Sequence, residues 1–165
     1  MKRALFALLA LSACATPAGA QSPLAPLAFL EGCWLGEFVG QNGLQDERCF
    51  TPMNGGAQLR DVHAVVGVGY GGETIYAWDA AAGEISVTYY ANDGGLMRGV
   101  AVGETNGVFM RDGRYVGANG AVQELRSRWT RDGADRFEVV TERLEQGVWR
   151  EFMRIRYART QPSNN

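Results

Sequence analysis

One histidine and a nearby acid could carry proton-transfer chemistry. Asp61 and His63 are two residues apart, so in a strand they share a face, and the carboxylate could orient the imidazole as a general base. No activated nucleophile accompanies them, which favours a structural histidine over a catalytic one. The orientation of strand 57–66 stays open, because two alternating sets could face inward: Leu59, Asp61, His63 and Val65, or Val62, Ala64 and Val66.

A second polar group occurs in the last predicted hairpin. A three-residue loop, Glu145–Gly147, sets Thr141 opposite Glu151 and Arg143 on the diagonal, all on the face predicted to point inward. A carboxylate in a cavity wall must be paired or protonated. Glu151 and Arg143 could therefore hold the polar end of a ligand. The alternative is a partly hydrated ion pair near a barrel mouth, with no ligand.

The same register assigns both faces of this hairpin. Glu142 falls opposite Arg150, and Glu138 opposite Arg154, so this charged face is expected to meet solvent. The other face is predicted to be interior. With the strand before it, that face contributes Leu125, Ser127, Trp129, Phe137, Val139, Trp149, Met153, Ile155 and Tyr157.

An earlier hairpin supplies aromatic side chains to the same interior. A loop over residues 80–83 gives the pairs Trp78–Ile85, Tyr76–Val87 and Thr74–Tyr89. Their face is bulkier and more apolar than the opposite one, so we expect it inside. The body of a ligand is then expected to contact Tyr76, Trp78, Tyr89 and Trp129.

Other kinds of site find less support. One histidine and two disulfide-bonded cysteines do not make a zinc site by the usual ligand sets. The glycine-rich run 67–72 resembles a phosphate loop but leads into a strand, so it lacks the helix N-terminus that would hold an anion. We expect no metal and no cofactor. No nucleic-acid partner is expected either, because the chain is acidic and has no basic tract.

Turn signals place these residues in an all-β fold. Clusters such as Asn54–Gly56, Asn92–Gly95 and Gln146–Gly147 recur about every ten residues, and no segment keeps a period of 3.6. Glycine, with 22 residues among 165, suits many tight turns. The pattern predicts one antiparallel sandwich or barrel domain over residues 29–159, after a linker at 21–28 and before a polar tail at 160–165.

The first twenty residues have the features of an export leader. Lys2 and Arg3 precede an apolar run too short to span a bilayer, and Ala18–Ala20 form a small-residue cleavage site. Alternatively, Leu11–Cys14 resembles a lipobox, with Cys14 as the site of a lipid anchor. Both interpretations predict an exported protein, periplasmic or secreted in the first case and membrane-anchored in the second. No transmembrane helix and no particular oligomeric state are predicted.

The two remaining cysteines are expected to form a disulfide. Cys33 and Cys49 lie directly opposite each other if the first two strands form a hairpin centred near Gln41. A two-residue turn at Asn42–Gly43 would instead move the register by three and require a bulge. Free thiols seldom persist in an oxidising compartment, so the bonded form is favoured over two buried thiols.

Several motifs together resemble a known family. These are Phe29-Leu30-x-Gly32-x-Trp34-x-Gly36, then Tyr76–Asp79 with Gly83 and Tyr89, and a closing Trp149 with Arg156–Arg159. They are similar to bacterial exported proteins of unknown function with lipocalin-like (calycin) β-barrels, to which nitrobindin-type haem proteins are more distantly related. The resemblance covers roughly residues 27–159. It implies an up-and-down barrel of about nine or ten strands with an internal cavity, the Gly32-x-Trp34 indole lying across one end.

The chain departs from this family's pattern in two ways. Calycins commonly stack a late-strand arginine on the Gly-x-Trp indole, whereas the predicted register puts Arg154 and Arg156 outside, away from Trp34. Nitrobindin-like proteins hold haem through a late-strand histidine, and residues 121–159 contain none. The resemblance therefore does not imply haem binding here.

The sequence leads to three functional hypotheses. The first is non-covalent binding of a small, partly apolar molecule in the barrel interior. The second is an enzyme in which Glu151 or His63 transfers protons. The third is a structural or interaction module of the cell envelope with a filled barrel. A cavity favours the first, a fully packed interior the third, and a perturbed carboxylate beside His63 the second.

Overall fold

Ten strands follow one another through residues 22–160, which are the residues that the structure, a computed structural model, describes. They are β1 (Gly32–Phe38), β2 (Gln45–Met53), β3 (Gln58–Val65), β4 (Gly71–Asp79), β5 (Glu84–Ala91), β6 (Leu96–Glu104), β7 (Gly107–Val116), β8 (Val122–Arg131), β9 (Arg136–Glu145) and β10 (Val148–Thr160). Short 3-10 helices span Ala25–Leu30, before β1, and Asn54–Gly56, between β2 and β3. The predicted leader and Cys14 lie outside the described residues.

The strands form one closed antiparallel barrel. Each strand pairs with its neighbours in sequence, and β1 also pairs with β10, so the described sheet has no free edge. This up-and-down topology confirms the predicted fold class, and it is consistent with a calycin-like barrel.

The β1–β2 hairpin confirms the predicted disulfide. Cys33 and Cys49 are register partners and form a disulfide, with their Cα atoms 4.1 Å apart. Their face of the hairpin is opposite to that of Trp34, which points inward and is 2% exposed. The bond joins cysteines 16 residues apart, so by chain entropy it stabilises the fold by about 3 kcal/mol.

Strands β3–β5 show which face of β3 points inward and confirm the predicted register of the β4–β5 hairpin. Leu59, Asp61 and Val65 are buried whereas Val62 is 40% exposed, so β3 turns its odd-numbered residues inward. In β4–β5, Tyr76 pairs with Val87 and the other predicted pairs also occur. Trp78 is the one residue of these pairs that is not buried. It is 42% exposed, because it is the second-last residue of β4 and lies at the barrel rim.

The last hairpin differs from its predicted register. Gln146 and Gly147 both have positive φ values, 51° and 80°, and form a two-residue turn, so Val148 pairs with Glu145. A bulge between Glu151 and Met153 then shifts the pairing again. The predicted loop of three residues was therefore wrong, and so was the uninterrupted ladder.

Between the turn and the bulge, the side chains of β10 do not face as predicted. Glu151 is exposed and pairs with Arg154 at 2.8 Å, so its predicted inward placement was wrong. Trp149 stacks on Arg126 at 4.5 Å instead of pointing inward. Phe152, freed from the ladder by the bulge, borders the cavity mouth.

After the bulge, the side chains of β10 point to the faces that were predicted for them. Ile155 and Tyr157 are buried, and Met153 lines the interior. The charged outer face has different partners from those expected. Glu142 pairs with Arg126 at 2.6 Å and not with Arg150, whereas Glu138 pairs with Arg154, as predicted, and also with Arg156.

The core occupies one end of the barrel, which the first helix covers. Leu27 and Leu30 of that helix are fully buried against Trp34, whose indole N–H donates to the Leu30 carbonyl at 2.7 Å. Gly32 has φ +111°, a conformation that L side chains rarely adopt, so glycine suits the bend into β1.

An arginine does stack on the Trp34 indole. The guanidinium of Arg159 lies 4.1 Å from the ring centroid, and its Nη1 donates to the Glu31 carbonyl at 2.7 Å. The hairpin register had assigned Arg154 and Arg156 outside, but Arg159 lies further along β10, opposite Trp34 in β1. The arginine–indole contact, which the predicted register of Arg154 and Arg156 had put in doubt, is therefore present through Arg159.

Candidate functional site

The half of the barrel away from the first helix encloses a cavity of about 490 Å³. Its wall is mostly apolar and includes Phe38, Leu44, Val87, Met97, Met110 and Met153. The cavity opens between the strand ends where Tyr70, Tyr115 and Phe152 lie. A volume of this size matches sites for small molecules, which occupy about 300–1,000 Å³.

The polar part of the lining comes from two adjacent strands. Asp46 and Arg48 alternate along β2, and Asp61 and His63 alternate along β3, so all four point inward. Arg48 is the direct cross-strand partner of His63. We call these four residues the floor cluster.

Arg48 is the central cation of the floor cluster. Its Nε lies 3.4 Å from Asp46 Oδ2 and 3.4 Å from Asp61 Oδ1, and its side chain is 12% exposed. The rings of Trp129 and Tyr157 lie 5.1 and 5.6 Å from the guanidinium carbon. Burial alone would lower its pKa, but Asp61, Tyr157 and Asp46 outweigh burial and raise the pKa, so Arg48 stays charged.

Asp46 is a well-satisfied buried carboxylate. It accepts a hydrogen bond from Tyr157 Oη at 2.6 Å, and its other oxygen lies 2.8 Å from His63 Nδ1. Burial raises its pKa, but the hydrogen bond with His63 and the charge of Arg48 more than reverse this, so the pKa is lowered overall. Asp46 is therefore the ionised partner of Arg48.

Asp61 is buried to the same extent but lacks such support. Its side chain is 1% exposed, and neither oxygen has a hydrogen-bond partner among residues 22–160. Burial raises its pKa, and the charges of Arg48 and His63 together with the nearby Tyr76 phenol, which is not aligned for a regular hydrogen bond, offset only part of that effect. Asp61 is thus the least compensated group of the floor cluster.

His63 connects the floor cluster to the cavity mouth. Its Nε2 lies 3.1 Å from Tyr89 Oη, which in turn lies 3.2 Å from Tyr70 Oη and 3.1 Å from the Gly71 carbonyl. Burial raises the pKa of Tyr89, so this phenol stays neutral. Asp61 and His63 share the inward face as expected, but the carboxylate that orients His63 is Asp46.

The six predicted ligand contacts are separated in the structure. Tyr89 lines the cavity, whereas Tyr76 and Trp129 are buried in the core cluster below it. Trp78 lies at the opposite end of the barrel. Arg143 pairs with Glu145, and neither Arg143 nor Glu151 lines the cavity, so the predicted Glu151–Arg143 pair does not form.

Sequence reasoning missed Asp46 and Arg48, although a signal for them was present. Trp34 inside places Cys33 outside, and the disulfide then places Cys49 outside as well. The residues that alternate with Cys49, including Asp46 and Arg48, must face inward. The predicted disulfide and the predicted Trp34 position were sufficient to find them.

The two carboxylates should respond in opposite directions to loss of their charge. At pH 7, Asp61→Asn should raise the free energy of unfolding by about 1–3 kcal/mol, because it removes a buried charge that has no regular hydrogen bond and shares its one arginine with Asp46. Asp46→Asn should lower it by about 1.5–3 kcal/mol, because His63, Tyr157 and Arg48 lose a charged acceptor. Denaturant unfolding of each variant measures both changes.

The same pair should differ in pH dependence. The raised pKa of Asp61 means that its penalty is absent at low pH and develops as pH rises through that pKa, so the gain from Asp61→Asn should shrink below it. The lowered pKa of Asp46 makes its contribution complete above its usual range and lost as pH falls through the lowered value. Equal effects of the two variants at all pH values would contradict this assignment.

The described residues show no group of three or more His, Cys, Asp or Glu side chains placed to hold a metal ion. Nor does any helix within residues 22–160 have the length and apolar character needed to cross a membrane. No protein-family model matches the chain, and the comparison with curated proteins gave no match.

Proposed function

We propose that the protein binds a small, partly apolar molecule non-covalently inside the barrel. The observation that carries the proposal is the cavity of about 490 Å³, whose apolar wall ends on the buried floor cluster. Small-molecule sites combine an apolar enclosure with a few fixed polar groups in this way. The ligand would place its apolar body against the wall and its polar end on the cluster.

The alternatives have weaker support. A structural module with a filled barrel would need tight packing throughout, whereas side chains fill only the half around Trp34 and Phe137. An enzyme using Glu151 would need this exposed residue inside. The shifted pKa values of Asp46 and Asp61 beside His63 meet the condition stated for an enzyme. Against this, both ring nitrogens of His63 already have protein partners, which is typical of a structural histidine.

A neutral fluorescent probe tests binding directly. N-phenyl-1-naphthylamine should gain fluorescence with saturable, one-to-one stoichiometry when added to the mature protein. Val87→Trp should abolish the gain by filling the cavity, because Val87 is a buried lining residue. Val102→Trp is the control, since Val102 is 41% exposed and absent from the lining. No saturable binding, or binding unaffected by Val87→Trp, would contradict the proposal.

We also propose that the barrel acts outside the cytoplasm, after removal or modification of the leader. The Cys33–Cys49 disulfide supports this, since such bonds persist mainly in oxidising compartments. The mass of the mature protein from its native host should show either a start at Gln21 or a lipid-modified Cys14. A retained Met1 would contradict both forms of export.

A further inference from the structure

We propose that the ligand's polar end is a positively charged nitrogen group, such as an ammonium, and that Asp61 binds it at the cavity floor. This inference rests on the proposed binding function and specifies the ligand class. It begins from a buried carboxylate that lines the cavity and has neither oxygen hydrogen-bonded within the described part of the chain.

The two acids of the floor cluster are not equally neutralised. Asp46 and Asp61 share the guanidinium of Arg48, whose Nε lies 3.4 Å from an oxygen of each, whereas His63 is bonded to Asp46 and not to Asp61. Asp46 is the better stabilised of the two carboxylates, because it also has hydrogen-bond partners in His63 and Tyr157. Asp61 is therefore the acid whose charge a bound cation would neutralise further.

No other described group of the lining supplies that cation. Arg111 is engaged by Glu84 at 3.4 Å, and Arg126 by Glu142 at 2.6 Å. His63 has Nδ1 on Asp46 and Nε2 on Tyr89, so neither nitrogen is free to bond Asp61.

The hydrogen-bonding capacity of Asp61 points to the same class. An ionised carboxylate only accepts hydrogen bonds, and an ammonium offers three donors. Thr74, the cross-strand partner of Asp61, is 5% exposed and also lines the cavity, so its hydroxyl could accept another of these donors. A cationic donor would therefore satisfy the unpaired oxygens and also neutralise the charge of Asp61 further.

Anionic and neutral head groups fit the floor less well. A carboxylate would bring a third negative group beside two buried ones, with only Arg48 to offset them. An alcohol could donate one hydrogen bond to Asp61 but would not neutralise its charge further. The expected order of affinity is ammonium, then alcohol, then carboxylate.

Three probes with one apolar tail separate these cases. Octylamine, 1-octanol and octanoate are used at pH 7 to displace N-phenyl-1-naphthylamine from the mature protein. Octylammonium should bind about tenfold or more tightly than octanol, as expected for a buried hydrogen bond between charged groups. Octanoate should bind most weakly. Octanoate binding most tightly, or octylammonium binding no better than octanol, would overturn the cationic assignment.

A matched pair of variants locates the contact. Asp61→Asn should weaken octylammonium binding about tenfold or more while changing octanol binding less than about threefold. Glu47→Gln removes the same charge from an exposed position on β2 and should leave both affinities unchanged. An Asp61→Asn protein that keeps its octylammonium affinity would overturn the role of Asp61.

The outcomes distinguish the two proposals. If the naphthylamine probe enters the cavity but the head-group order is wrong, the cationic assignment fails and cavity binding stands. If no probe enters the wild-type protein, the proposed function fails as well. Melting curves of Asp61→Asn and Glu47→Gln verify that both variants are folded in each comparison.

Discussion

Arg48→Met should lower the free energy of unfolding by about 3–5 kcal/mol at pH 7. Arg48 is the cation that Asp46 and Asp61 share, and both carboxylates have side chains only 1% exposed. Methionine keeps the apolar stem that packs near Trp129 but leaves two buried acids facing each other. Removing one partner of a buried ion pair is strongly destabilising for this reason.

Two comparisons sharpen this expectation. Arg60→Met removes an arginine from the outer face of β3, where the side chains of Arg60 and Glu73 are 45% and 36% exposed, and should leave stability nearly unchanged. The double variant Arg48→Met, Asp61→Asn should recover part of the loss, because one uncompensated acid is gone. Denaturant unfolding measures all three, and a loss below about 1 kcal/mol for Arg48→Met would mean that the floor cluster is solvated.

Most of the fold could be predicted because its signals are local. Turn residues fix where strands end, and the β4–β5 loop fixes which side chains oppose each other, as in the Tyr76–Val87 pair. The Cys33–Cys49 bond followed from a hairpin centre and the chemistry of exported cysteines. Each inference needed only residues close in sequence.

The last hairpin shows where local signals stop being sufficient. A single glycine after Gln146 allows either a three-residue loop or a two-residue turn, and the second requires Gln146 to adopt φ +51°, which is uncommon for that residue. The bulge after Glu151 has no local sequence signature. Because of this turn and this bulge, Glu151 and Trp149 lie outside the interior and Phe152 lies at the cavity mouth, contrary to the predicted faces.

Only part of the candidate site could be predicted from the sequence, for a different reason. Alternation placed Asp61 and His63 on one face, but Asp46 and Arg48 come from the adjacent strand β2, for which no register had been derived, and Tyr89 comes from β5. Arg159 was missed in the same way, because its contact with Trp34 depends on the pairing of the first and last strands. Closure of the barrel creates the Arg159–Trp34 contact, which no single hairpin register contains.

Trp34→Ala should lower the free energy of unfolding by about 3–5 kcal/mol, the range for removing a large buried aromatic side chain. The indole is 2% exposed and lies 4.7 Å, ring to ring, from Phe137 at the covered end of the barrel. Its loss would leave a cavity under the first helix and deprive the Leu30 carbonyl of its donor. It would also remove the surface on which Arg159 stacks.

Trp78→Ala is the matched control for this prediction. It removes the same side chain from the rim at the same end of the barrel, where the indole is 42% exposed, and should cost less than about 1 kcal/mol. Trp34→Phe should fall between the two, because phenylalanine keeps much of the packing but cannot donate to Leu30. Similar midpoints for Trp34→Ala and Trp78→Ala in denaturant unfolding would show that Trp34 does not close the barrel end. If Trp34→Ala instead loses stability while keeping its probe affinity per folded molecule, the covered end acts as support and the open half alone forms the binding site.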